Sequence, residues 1–176
     1  MEYLRDHAMM VAIFGFAGFV WFGWAQENPK KSWRKYLGIG AAISVLIGLY
    51  GIYLSINNWN APSALNELGS LTWYYVIVAL EFTLAIIGAY YLTRRGLSDH
   101  IASWICFIVG IHFFPLAIIF KDGSLHILGI LFLFVIFYSI EKSKTISYAS
   151  SALIGIGAGS SLLAFALFNL YRVLSV

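Results

Sequence analysis

Charge is scarce in this chain. Of its 176 residues only 11% are Asp, Glu, Lys or Arg and 61% are hydrophobic, where an ordinary soluble domain carries roughly 25% charged residues. A soluble fold cannot hide that much apolar surface. Cysteine is limited to Cys106, inside an apolar run, which excludes an internal disulfide, a Cys-based zinc site and paired-thiol redox chemistry. A small buried side chain is its expected role. Positive charge is nearly missing before the first apolar run, where Glu2, Arg5 and Asp6 stand, and the basic cluster follows that run. A cleavable secretory signal has the opposite order, so the first segment is expected to be retained as a helix.

What is present is a series of apolar runs, at residues 8–25, 36–56, 71–92, 101–120, 124–140 and 147–171. The expected fold is all-α: a single polytopic membrane domain over 1–176, a bundle of six transmembrane helices arranged as three hairpins. Six spans of roughly 20 residues use about 120 positions and leave only short loops, with no room for a soluble domain. The fifth run is at the short limit, and a re-entrant segment is its alternative.

The net charge of +3 is no footprint of nucleic-acid binding, because the basic residues cluster at span ends and form no continuous soluble face. Lys30, Lys31, Arg34, Lys35, Arg94, Arg95, Lys142 and Lys144 fall in loops one, three and five; Arg5, Lys121 and Arg172 fall on the opposite side. The positive-inside rule then predicts a multi-pass plasma-membrane protein with both termini outside. The second loop, Asn57 to Ser70, has Pro62 and Glu67 and no basic residue, as an exterior loop would. Many aromatics, among them Trp21, Trp24, Trp33, Trp59, Trp73, Tyr75, Tyr90 and Tyr91, lie near span ends, where amphipathic rings favour the headgroup level. An aromatic ligand cage is the other reading of that enrichment.

Helices in lipid pack closely where small residues let backbones approach. Span six carries Ser151, Gly155, Gly159, Ala166 and Asn169 on one side, span one Ala8, Ala12 and Gly15, and span two Gly40, Ser44, Gly48 and Gly51. These stripes predict a tight centre or a partner-binding face. Gly155 to Ser161 lacks the Lys that a phosphate loop requires. Ser160 or Ser161 as a nucleophile would need a base at its depth, and His112 is the sole mid-membrane candidate. The tetrapeptide Gly38-Ile39-Gly40-Ala41 recurs as Gly155-Ile156-Gly157-Ala158, which leaves an internal repeat open beside chance recurrence.

Two ionisable residues stand out within the runs: Glu81 in span three and His112 in span four. An ionised carboxylate there costs about 3 kcal/mol on insertion scales, so such a residue is a functional hypothesis by default. At 1.5 Å per residue Glu81 lies roughly 15 Å and His112 roughly 12 Å below the outer ends of their spans. Spans joined by a short loop are usually neighbours, so the two can meet. Tyr74, Ala85 and Gly88 share the face of Glu81 and suggest that it turns inward. Pro115, three residues after His112, cannot donate a backbone hydrogen bond; it frees the carbonyl of Ile111 and predicts a helix kink. His126 and His7 are expected on the same outer side, so the ionisable groups are expected to converge on an outward-facing cavity. The bland alternative is a structural Glu–His pair that fixes helix register. No HExxH or two-histidine spacing points to a metal, and no cofactor is implied.

The leading expectation is a transporter or solute-binding membrane protein, with the lipid bilayer and a small molecule or a proton as partners. Its ligand or proton site would be Glu81, His112, Tyr74 and His126. A second reading is a non-catalytic subunit or assembly partner of a membrane complex, or a homo-oligomer. Six short helices in under 200 residues, with Ala8-x-x-x-Ala12 in the first, resemble the substrate-binding subunits of energy-coupling-factor vitamin transporters. That resemblance covers hydropathy and this one motif; it implies a vitamin-sized ligand and an ATPase-driven partner complex, and assigns no ligand residues. A third reading is an intramembrane lipid-acting enzyme, against which stand the lack of a second acid in the spans and of a strong nucleophile motif. No catalytic residue is assigned.

Overall fold

The computed structural model describes residues 3–67, 69–143, 145 and 149–175. Six helices are long and apolar enough to cross a membrane: α1 (Leu4–Trp24), α2 (Arg34–Asn57), α3 (Ser70–Arg94), α4 (Ile101–Ile119), α5 (Ser124–Ser143) and α6 (Ser150–Leu174). No strand occurs among the described residues. The fifth run is a 20-residue helix, about 30 Å long, so it has the length of a full span. Lys144, and Ser147 and Tyr148 at the start of the sixth apolar run, lie outside the described residues, as does Glu2.

All the helices but α4 run past an end of their apolar runs, because the polar residues there are accommodated. Helix α1 begins at Leu4 because Asp6 and His7 are buried within the bundle, 2% and 5% exposed. Arg94 and Arg172 stand in the last turns of α3 and α6, where a positive charge suits the helix C-terminus.

Each predicted hairpin is formed: α1 packs on α2, α3 on α4, α5 on α6. Further packing of α1 on α6 and of α4 on α5 arranges the helices in the order α2, α1, α6, α5, α4, α3. The two ends of that order are not alike. At one end the small-residue stripes bring backbones into contact: a Cβ on Gly15 would stand 2.5 Å from the amide of Gly48, and one on Gly155 2.6 Å from the carbonyl of Trp21. The backbone of Ala12 abuts Gly51, and Ala8 is buried with Leu54 and Val173. The Ala8-x-x-x-Ala12 motif is thus used inside the chain, in a tight α1–α2–α6 centre. At the other end α3 buries no residue fully. It is held to α4 by the indole of Trp104, whose Nε1 donates to the carbonyl of Leu84 at 3.0 Å. Gly88, one turn on, leaves the space that the indole fills.

The two copies of Gly-Ile-Gly-Ala sit in different surroundings. Gly38 faces open space and Gly155 is packed against α1.

Candidate functional site

Between α1 and α3 the helix order leaves a cavity of about 380 Å³, in the size range of small-molecule sites. Helix α1 forms one wall with Met9, Ile13 and Phe14, α3 the other with Tyr74, Val78, Glu81 and Phe82, and α4 the floor with Val109, His112 and Phe113. Asp6 and Leu65 line it as well.

Helical spacing places Tyr74, Glu81, Ala85 and Gly88 along the half-buried face of α3, as the sequence predicts, and Val78 lies there with them. Glu81 and His112 meet: Glu81 Oε1 is 3.7 Å from His112 Nδ1, with side-chain exposures of 17% and 13%. That is ion-pair range but too long for a hydrogen bond. His112 Nδ1 lies 2.5 Å from the carbonyl of Val109; since a carbonyl only accepts, Nδ1 carries the proton and Nε2 is left as an acceptor when the ring is neutral. No hydrogen bond to Glu81 forms among the described residues, and its carboxyl faces the cavity. Tyr74 packs edge-on against Phe120 at 5.9 Å. Pro115 lies within α4, which continues to Ile119, and the carbonyl that engages His112 is that of Val109, not the Ile111 carbonyl that Pro115 frees.

The expected convergence of the other histidines needs correction. His126 does not line the cavity; its place on α5 turns it toward the ring of Phe114, 5.8 Å away. His7 is sealed elsewhere, with Nδ1 2.9 Å from Asn169 Oδ1 and 3.9 Å from Asp122 Oδ2.

That second cluster is one that sequence reasoning missed. Asp122 accepts from Arg172 Nη1 at 2.6 Å and from the amide of Ser124 at 3.0 Å. Burial alone would raise the Asp122 carboxyl, but the hydrogen bonds from Ser124 and the guanidinium of Arg172 outweigh it and hold it below its ordinary value. Asp6 accepts from the hydroxyl of Ser63 at 2.5 Å and the amide of Ala64 at 2.7 Å, which fastens the second loop over the end of α1. Lys121 bridges to Glu67 at 2.6 Å. Its ammonium hydrogen bond lowers the Glu67 carboxyl, and the same contact raises Lys121. Lys121 takes a left-handed φ of 51° at the end of α4, where the amides of Lys121 and Asp122 return to the carbonyls of Ile118 and Ala117 in the manner of a Schellman turn. Glycine is usual there, so nothing in the local sequence announces it. These contacts gather the start of α1, the second loop, the α4–α5 turn and the end of α6 at one end of the bundle, as the alternating spans require.

Among the described residues no three His, Cys, Asp or Glu side chains are placed to hold a metal ion. No protein-family model, curated protein or solved structure matches the chain.

Proposed function

We propose that this membrane protein is a transporter or solute-binding protein whose ligand or proton site is Glu81 and His112, with Tyr74 beside them. The observation that carries the reading is a carboxyl group without a hydrogen bond, facing a cavity within the helix bundle. An intramembrane acid retained for structure would be expected to spend its oxygens on neighbouring donors, as Asp6 and Asp122 do. Glu81 keeps its oxygens for something else. The orientation that goes with this proposal has both termini outside a plasma membrane, so the cavity lies toward the outer leaflet. A subunit or assembly role gains less, because the small-residue stripes of α1 and α6 are consumed within the chain.

The test is to reconstitute the protein in vesicles and screen small solutes for a rise in melting temperature, following lumenal pH in parallel. A solute that stabilises the wild type should lose its effect in Glu81→Gln and weaken in His112→Ala. Unchanged binding and transport in both variants refutes the site.

A further inference from the structure

Resting on that site, the structure also indicates what chemistry it accepts. The described residues around the cavity include two carboxyls, Asp6 and Glu81, and no Lys or Arg. The arginines and the lysine at the same end of the bundle are committed: Arg172 to Asp122, Lys121 to Glu67, and Arg5 to Asn66 and the carbonyl of Trp59. His112 has spent its Nδ1 proton on Val109. The polar face is therefore rich in acceptors and holds no fixed cation, so an anion brought there would face the carboxyls without a counter-charge.

The remaining walls are apolar and aromatic, including Phe14, Trp21, Phe82 and Phe113. Ring faces attract a cation electrostatically, most strongly where water is excluded. The same walls suit a hydrocarbon chain.

Access follows from exposure. Ile13 on α1 and Phe82 on α3 both line the cavity and yet are 49% and 62% exposed. They stand on the outward sides of two helices that span the membrane, and α1 and α3 are not a packed pair. Above, the second loop is tied down on Asp6 by Ser63 and Ala64, with Leu65 reaching the cavity. The opening therefore faces lipid sideways. Glu81 lies eleven residues into α3, roughly 16 Å along it, deeper than the headgroup of a lipid at its usual level.

We infer that the ligand is a single-chain amphiphilic amine, which passes sideways from the membrane between α1 and α3 and seats its nitrogen against Glu81 with its chain along the aromatic walls. An amine suits the carboxyl in either protonation state. As an ammonium it donates to the carboxylate; as a free base it takes the proton of the carboxylic acid, and the same ion pair results.

The experiment compares decylamine, decanol and decanoate, of one chain length and with cationic, neutral and anionic heads. Binding to the protein in lipid nanodiscs is measured by equilibrium dialysis, corrected for partition into empty nanodiscs. Decylamine should bind saturably and at least tenfold more tightly than either analogue. Glu81→Gln should lower its affinity at least tenfold, and Ile13→Trp, at the lateral opening, should slow decylamine association at least fivefold in stopped-flow mixing. Equal or tighter binding of decanol or decanoate, or no saturable decylamine binding, overturns the amine class on the wild type alone, whatever the variants do. If such decanol or decanoate binding is lost in Glu81→Gln, the site stands and the class falls. Decylamine binding that is the same in wild type and Glu81→Gln overturns both. An unchanged association rate in Ile13→Trp overturns the lateral route.

Discussion

Buried acids stand in two settings in this bundle, and they differ in what their oxygens do. At the end of the bundle Asp122 is gripped by Arg172 and the Ser124 amide, and Asp6 by Ser63 and Ala64. Those carboxyls tie together segments far apart in sequence, and each already holds two donors. Glu81, in the span, has no hydrogen bond among the described residues, lies 3.7 Å from His112 and opens onto a cavity. The contrast separates an acid that holds the fold from one that waits for a partner. It also maps onto the helices: α1 meets α2 and α6 backbone to backbone, whereas α3 meets α4 through side chains, the Trp104 indole over Gly88, Tyr74 against Phe120 and Glu81 beside His112.

Substitutions should break this comparison in a definite order. Arg172→Ala should be the most costly, about 3 kcal/mol in detergent unfolding, because it strands a buried carboxylate. The same pair sets an acid limb. Since the folded Asp122 carboxyl lies below its ordinary value, its contribution is complete above the usual carboxylate range, roughly pH 4, and is lost as pH falls through the folded value. Asp122→Asn should flatten that limb in a series of melts against pH. Trp104→Phe removes the indole donor between α4 and α3 and should cost about 1 kcal/mol, with faster hydrogen exchange confined to α3. Glu81→Gln should change stability by less than about 1 kcal/mol, in either direction, since it removes an acid that has no hydrogen bond to lose; its effect should fall on ligand binding. Lys121→Ala should have the smallest effect on melting, and that effect should vanish in high salt, because its pair with Glu67 is exposed.

The six spans and the meeting of Glu81 with His112 are legible in the sequence, for a local reason. Hydropathy sets the spans, the short α3–α4 loop makes the helices neighbours, and the Tyr74, Glu81, Ala85, Gly88 spacing defines one face. The end cluster is not legible, because its members pair across the chain: Asp6 with Ser63, Asp122 with Arg172, His7 with Asn169. In the sequence the charges among them act only as topology signals, and Asn169 belongs to a packing stripe. His126 shows the converse error. Depth alone places it near the site, but its rotation about α5 turns it to Phe114.

The most direct test asks which carboxyl is open to the membrane. A lipid-soluble carbodiimide, applied to the protein in vesicles and followed by intact mass and peptide mapping, should add a single adduct on Glu81 that is absent from Glu81→Gln. An unmodified Glu81, or equal modification of Asp6 and Asp122, would contradict the account.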